Sequence, residues 1–132
     1  MIFVTLGSQK FQFDRLLQKL DELVEQGVIK EEITAQIGAS NYLPKHFPYV
    51  RFMDREQFAA TMDACDIVVT HGGTGVIITA VKKGKKVIAV PRLAKYKEHV
   101  DDHQLQLLHQ FDELQIICAC YELKDFEENY RE

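Results

Sequence analysis

Residues 66–91, DIVVTHGGTGVIITAVKKGKKVIAVP, decide the fold of this chain. Short apolar runs bounded by glycine and proline are typical of buried strands, so the stretch predicts strands over 66–71 and 85–91. Between them lies a predicted helix over 74–84 that ends at a glycine. Its β-branched residues would also suit a strand. A strand, helix and strand in this order predict a right-handed crossover within a parallel sheet.

The same alternation of strands and helices continues on both sides of this unit. Further strands are predicted over 2–7, 33–38, 49–53 and 116–120. Further helices are predicted from Phe13 to the capping Gly27, over 55–65 behind the capping Asp54, over 99–111, and over 123–130. This pattern predicts an α/β fold, a Rossmann-like doubly wound parallel sheet forming one domain over 1–132.

Composition excludes several classes of protein. The length of 132 residues suits one core, and the apolar fraction of 46% is that of an ordinary globular chain. The net charge of −4 argues against a nucleic-acid binder. No apolar stretch reaches the length of about 18 residues that spans a bilayer. Three cysteines lack metal-ligand spacing and are expected to be thiols in a reducing cytoplasm.

Three loops fall at the carboxyl edge of the predicted sheet, where such folds bind ligands: residues 5–11, 71–75 and 91–104. HGGTG, residues 71–75, leads into a helix whose free N–H groups favour an anion. It lacks the Gly-Lys-Ser/Thr of a Walker A loop and fits G-x-G-x-x-G poorly, because Ile78 occupies the last glycine position. Gly7 and Ser8 form a second such turn, so the pair suggests a diphosphate, or a phosphate plus a sugar. A tight turn without a ligand is the alternative.

The third loop carries the polar residues expected to contact a sugar. Val100, Leu107, Leu108 and Phe111 define the inward stripe of the helix predicted over 99–111, and His103 and Gln104 fall on that stripe. Buried polar groups need partners, which a ligand's hydroxyl groups could supply. Glu98 and Asp102 add carboxylates. For His103 a structural histidine is the alternative, and His99 with His103 lacks a third metal ligand, so no metal site is predicted.

These motifs together resemble a known family. THGGTGVIITAVKKGKKVIAVPRLAKYKEHVDDHQLQL, residues 70–107, is similar to the donor-binding signature of family-28-type glycosyltransferases of GT-B fold. Residues 1–17 and 36–44 resemble two further stretches of that family, so the likeness covers nearly the whole chain. The resemblance implies the C-terminal, donor-binding half of a GT-B enzyme.

The resemblance extends to the small cytosolic subunits of two-component glycosyltransferases. These include PssE-type bacterial subunits of exopolysaccharide and capsule synthesis, and the catalytic subunit of the dolichol-pathway enzyme that adds the second GlcNAc. A GT-B enzyme needs two α/β domains, and 132 residues make one. The resemblance therefore implies a UDP-sugar donor, a lipid-linked glycan acceptor, and a membrane-anchored partner that supplies the acceptor half. The chain is expected to be cytoplasmic and recruited to the membrane by that partner.

The resemblance also implies roles for particular residues. Those expected near the nucleotide and its diphosphate are Gly7, Ser8, Gly72, Gly73, Thr74, Gly75 and Thr79. Those expected to contact the sugar are Glu98, His99, Asp102, His103 and Gln104. Thr79 stands where much of the family has an acidic residue that holds the ribose, so the ribose is held differently or more weakly.

Catalysis is expected to depend on the partner. The sequence has no Asp-x-Asp motif, which predicts metal independence, and no cofactor is expected. The general base should come from the acceptor half, with His71 a weaker candidate. Arg92 and Lys95 could pair with a uronate, and Phe126 and Tyr130 could anchor the partner or pack on the sheet. The alternative functions are a non-catalytic nucleotide-sugar-binding or regulatory subunit, and a dinucleotide-binding oxidoreductase.

Overall fold

The computed structural model describes residues 1–6 and 11–131, along which strands and helices alternate. The strands are β1 (Ile2–Thr5), β2 (Ile33–Gln36), β3 (Tyr49–Val50), β4 (Ile67–Thr70), β5 (Lys86–Ala89) and β6 (Cys118–Ala119). The α-helices are α1 (Asp14–Glu25), α2 (Arg55–Ala64), α3 (Thr74–Lys82), α4 (His103–Glu113) and α5 (Phe126–Arg131). Short 3₁₀ turns cover Ala94–Tyr96 and Leu123–Asp125.

The described strands form one parallel sheet in the order β3-β2-β1-β4-β5-β6. Thr5, the last residue of β1, pairs with Gln36 on one side and with Thr70 on the other. From β1 the chain moves outward to β2 and β3, and from β4 it moves outward in the opposite direction. A crevice opens beyond the carboxyl ends of the two strands at which the order reverses. The predicted α/β doubly wound fold is confirmed.

The core lies in two layers because successive side chains of a strand point to opposite faces of the sheet. On one face Ile2 and Val4 of β1 pack with α1 and with Phe126 of α5. On the other face Phe3 packs with residues of α2, α3 and α4, including Leu108. Helices on both faces make this a three-layer arrangement. Among the described helices, none combines the length and the apolar composition that crossing a membrane requires.

The segment after the glycine turn is a helix, which resolves the ambiguity of its β-branched residues. Ile77 and Ala80 face the core, and the helix ends before Gly84, whose φ of +73° favours glycine. The capping role of Asp54 is also confirmed, since its side chain accepts a hydrogen bond from the Gln57 N–H at 2.7 Å. The described strands are shorter than predicted, and β1, β2 and β3 begin at the predicted residues but end before the predicted carboxyl ends.

The helix predicted over 99–111 begins later, at His103, so this prediction was wrong at its start. Acidic side chains hold the preceding residues in a non-helical conformation. Asp101 accepts a hydrogen bond from the His103 N–H at 3.0 Å, and Asp102 accepts one from the Ala94 N–H at 2.9 Å. Val100, assigned to the inward stripe, is 74% exposed, whereas Leu108 is buried as predicted.

The C-terminal segment packs on the sheet. Phe126 is fully buried in the core, and the Tyr130 hydroxyl donates a hydrogen bond to Glu31 at 2.8 Å. Phe126 therefore cannot anchor a partner protein at the surface. The alternative considered from the sequence, that these residues cover the sheet, is the observed one.

Truncating the Phe126 ring should test this packing directly. We expect Phe126→Ala to lower the free energy of unfolding by about 3–5 kcal/mol, because it leaves a cavity in the core. Tyr130→Phe removes only one exposed hydroxyl contact and should cost less than about 1 kcal/mol. Urea denaturation followed by circular dichroism measures both. Equal, small losses would place α5 outside the core.

Candidate functional site

The glycine turn connects β4 to α3 at the edge of the crevice. His71 and Gly72 are buried, Gly73 is the residue before the helix, and Thr74 and Gly75 are exposed at its first turn. The first N–H groups of an α-helix have no partner within the helix. They carry a partial positive charge that favours an anion. The turn therefore presents exposed backbone donors at the place where the fold binds ligands.

Two of its glycines are required because neighbouring side chains come very close. A Cβ atom added at Gly72 would lie 2.7 Å from Cβ of Gln104, and one at Gly73 would lie 2.4 Å from Cε1 of His71. Any side chain at these positions would push the turn away from α4 or displace the histidine. Gly75 differs, because a Cβ atom there meets no described atom within 4 Å. Packing therefore explains why Gly72 and Gly73 are glycines. Of the three glycines in this turn, Gly75 is the one with space for a side chain.

Gln104 is buried and connects the turn to the end of β5. Its Oε1 accepts hydrogen bonds from the Gly72 N–H at 3.0 Å and from the Arg92 N–H at 3.1 Å. Its Nε2 lies 3.1 Å from Nδ1 of His71. Removing the side chain would leave two buried N–H groups unsatisfied, at a cost of about 1–3 kcal/mol each. Gln104 therefore orders the protein's own loops, and the sugar contact expected from the sequence stays a prediction.

These contacts also fix the tautomer of His71. Backbone N–H groups can only donate, so the atom that accepts from Gly72 and Arg92 is the amide oxygen, and the amide nitrogen faces His71. Nδ1 of His71 must then accept a hydrogen bond, which leaves the proton on Nε2. Burial, with a contribution from the Arg92 charge, lowers the pKa of His71 to about 4. A neutral ring with a protonated Nε2 is a hydrogen-bond donor and a poor general base.

Arg92, which is 1% exposed, contacts the backbone on either side of residues 7–10. Its guanidinium donates to the carbonyl groups of Leu6 at 2.6 Å, Phe11 at 3.0 Å and Gln12 at 3.1 Å. Gly7 and Ser8, expected near a diphosphate, lie outside the described residues. Arg92 cannot pair with a uronate at the surface, because its side chain is buried.

Glu98 is also buried, and its carboxylate is occupied by the protein. Both of its oxygens accept from Arg15, at 3.0 Å each, and Oε1 accepts from the Leu93 N–H at 3.1 Å. A bidentate pair of this kind fixes the geometry of both side chains. The expected sugar contact of Glu98 stays a prediction, since both carboxylate oxygens already have protein partners. In the structure Glu98 holds the loop between β5 and α4 against α1.

The other residues expected to contact the sugar lie before or at the start of α4. The His99 ring packs on Phe11, with ring centroids 5.3 Å apart, and is partly buried. Asp102 and His103 are exposed. The expectation of a polar pair on the inward face was thus right for Gln104 and wrong for His103, because the helix begins four residues later than predicted. Lys95 is exposed, with its ammonium 5.0 Å from the Tyr96 ring centre.

Thr79 lies on the exposed side of α3. Its hydroxyl donates to the Gly75 carbonyl at 2.9 Å, an intrahelical bond that occupies its hydrogen. The hydroxyl oxygen still has acceptor capacity toward solvent. Thr79 therefore offers less to a ribose than a carboxylate would.

A cavity of about 370 Å³ opens at the carboxyl ends of β1 and β2, beside the first turn of α3. Its lining residues are Thr5, Gln36, Met53, Asp54, Arg55, Phe58 and Val76. The sequence interpretation assigned no ligand contact to Gln36 or to the apolar lining residues, although Gln36 is a polar residue at the end of an otherwise apolar strand. A buried hydrogen bond of 3.1 Å from the Thr5 hydroxyl to Gln36 joins those two strand ends.

A second cavity, of about 360 Å³, lies at the opposite edge of the sheet, near the start of β2. Glu31 and Glu32 line it, and their negative charges oppose the binding of a phosphate. Of these two cavities, the one beside α3 is the better candidate for an anionic ligand, because the first turn of that helix adjoins it.

Comparisons with known proteins identify the family. A family model described as "Glycosyltransferase family 28 C-terminal domain" matches residues 1–132, so the chain belongs to that family. Among solved structures it is similar to the glycosyltransferase SnogD from Streptomyces nogalater, with a TM-score of 0.59 and 23% identity. The match covers 90% of this chain and 30% of the SnogD chain, and it shows the shared fold alone. A search of curated proteins found no match.

The state of His71 gives a prediction for its protonation. Its pKa of about 4 in the folded state lies below the ordinary value of 6.5, so the unfolded chain binds more protons between these pH values. This histidine should therefore lower the free energy of unfolding by up to about 3 kcal/mol as the pH falls from 6.5 to 4. Nitrogen NMR of the ring should find the proton on Nε2 at pH 7.

The control is His71→Asn, which cannot titrate. The wild-type chain should lose more stability than this variant between pH 7 and pH 4.5 in urea denaturation. A ring with its proton on Nδ1, or a pKa at or above 6.5, would contradict the assignment.

Proposed function

We propose that the chain binds the UDP-sugar donor of a glycosyltransferase and, with a membrane-anchored acceptor subunit, transfers a hexose to a lipid-linked glycan. The observation that carries this proposal is the exposed first turn of α3, which presents backbone donors at the crevice of a family 28 C-terminal domain. A negatively charged diphosphate is the ligand that such a turn favours.

The neighbouring cavity supports the assignment of the nucleoside. Its mixed lining suits a flat base and a ribose, since Met53, Phe58 and Val76 offer apolar surface while Thr5 and Gln36 offer polar atoms. Val76 lies in the first turn of α3, so a nucleoside in this cavity would bring its diphosphate to Thr74 and Gly75. Thr79 lies three residues beyond Val76 on the same helix face and would adjoin the ribose.

The proposed reaction follows from this placement. An acceptor hydroxyl attacks the anomeric carbon while the bond from that carbon to the diphosphate oxygen breaks. The leaving diphosphate gains negative charge, which the N–H groups of α3 and the Nε2–H of His71 can stabilise by donating hydrogen bonds. The acceptor's proton passes to a base. Because His71 is a neutral donor at pH 7, we assign that base to the acceptor subunit.

The proposal of a separate acceptor half rests on the number of domains in this fold. The chain spans 30% of the length of SnogD, and the fold presents one side of a cleft. An acceptor must meet the donor from the other side, so another polypeptide region must supply that wall. The membrane anchor and the lipid-linked acceptor come from the resemblance to two-component transferases and are part of the proposal.

Reconstitution tests the proposal. The purified chain should bind UDP in calorimetry, and it should transfer radiolabelled sugar from UDP-sugars to lipid extract only when membranes from its native cells are added. The membrane protein supplies the acceptor half of the cleft. Membranes lacking the chain serve as the control and should be inactive alone.

Two results would contradict the proposal. Full turnover by the isolated chain on a lipid-linked acceptor would remove the need for a partner. UDP binding without transfer under any membrane condition would favour the non-catalytic binding subunit.

A further inference from the structure

Arg92 is the largest side chain among the fully buried residues of the described chain. It follows Pro91 just beyond β5, at the carboxyl edge of the sheet. Burying an arginine is costly unless its charge and donors are compensated. A hydrophobic side chain would fill the same volume without that cost, so the presence of a guanidinium here calls for a functional explanation.

The acceptors of Arg92 come from two of the three loops at this edge. Leu6 lies before residues 7–10, and Phe11 and Gln12 lie after them, so one guanidinium holds both ends of the first loop. It also donates to the Glu98 carbonyl at 3.3 Å, within its own loop. All four acceptors are neutral carbonyl groups. They accept hydrogen bonds from Nη1 and Nη2 without neutralising the charge, and the buried Nε has no hydrogen-bond partner among the described residues.

The charge of Arg92 is only partly compensated. The nearby carboxylate is that of Glu98, and both of its oxygens are bonded to Arg15. Two guanidinium groups therefore share one carboxylate, which leaves a local excess of positive charge. Burial lowers the pKa of Arg92 to about 10, so the side chain stays protonated at neutral pH.

This charge lies close to the glycine turn. The backbone N–H of Arg92 and that of Gly72 donate to the same oxygen of Gln104, at 3.1 and 3.0 Å. The Arg92 charge also contributes to lowering the pKa of His71, which follows β4. Charges interact more strongly in the protein interior than in water, because the effective dielectric constant there is lower.

We propose that Arg92 is a positioning residue of the donor site, which holds Leu6, Phe11 and Gln12 at the sheet edge and whose buried charge favours a diphosphate beside the glycine turn. The inference rests on the proposed function. According to this inference, the charge of Arg92 makes the site prefer a charged nucleotide over a neutral nucleoside. Arg92 has this effect without contacting the ligand.

The test compares UDP with uridine, which lacks the phosphates. Both affinities are measured by calorimetry on the full chain for wild type, Arg92→Gln and Arg92→Lys. Partial unfolding lowers both affinities by the same factor, so their ratio is insensitive to stability. We expect Arg92→Gln to reduce the ratio of UDP to uridine affinity by at least about tenfold, and Arg92→Lys, which keeps the charge, to retain it within about threefold.

Arg51 offers a matched control. Its guanidinium also donates to two backbone carbonyl groups, those of Gly38 at 3.1 Å and Ser40 at 3.0 Å, but the residue is exposed. Salt and water screen an exposed charge, so Arg51→Gln should change the ratio by less than about twofold.

The outcomes separate the two proposals. Failure of the wild-type chain to bind UDP would overturn the proposed function and this inference with it. If wild type binds UDP and Arg92→Gln keeps the wild-type ratio, Arg92 is purely structural and the inference alone fails. If Arg92→Gln does not fold, the Arg92→Lys variant provides the test. A ratio of UDP to uridine affinity that is retained supports the role of the charge, and a ratio that falls about tenfold contradicts that role.

Discussion

The arrangement of the site depends on one buried carbonyl, Oε1 of Gln104, which accepts backbone N–H groups from the ends of two adjacent strands. Gly72 follows β4 and Arg92 follows β5, so this oxygen holds the two strand ends in a fixed relation. The Arg92 side chain extends the connection to both ends of the loop after β1. Backbone donors that leave a sheet must find acceptors when they are buried. Here the amide oxygen of Gln104 accepts both N–H groups. It thereby joins the glycine turn to the loop after β5, which the sequence analysis had treated as separate loops.

This constraint explains why the histidine and two glycines form a single unit. The amide nitrogen of Gln104 sets the tautomer of His71, and the His71 ring occupies the space that a side chain at Gly73 would need. Gly72 has no side chain because α4 approaches it through Gln104. The turn is therefore shaped before any ligand arrives. A preorganised set of donors costs no reorganisation energy when charge develops on a leaving group.

The fold could be predicted from the sequence, and a candidate site could be proposed at the sheet edge, because both depend on local patterns. Apolar runs such as IFVT and IVVT alternate with helical segments, and glycine-rich turns follow them. The roles of individual side chains could not be predicted, because these depend on contacts between distant residues. Glu98 lies in an acidic loop, and nothing in the local sequence indicates that Arg15, 83 positions away, binds its carboxylate. Arginine is usually a surface residue, so the sequence gives no sign that Arg92 is buried. Only the fold shows that its guanidinium donates to backbone carbonyl groups in the interior.

The central claim is that the first turn of α3 binds the diphosphate, and Gly75 tests it most directly because its surroundings are open. An aspartate there suits a helix N-terminus, so Gly75→Asp should fold, yet its carboxylate would repel a phosphate in the same place. Gly75→Asn has nearly the same shape without the charge. We predict by calorimetry that Gly75→Asp binds UDP at least about tenfold more weakly than Gly75→Asn. Equal affinities of the two variants for UDP would contradict the account.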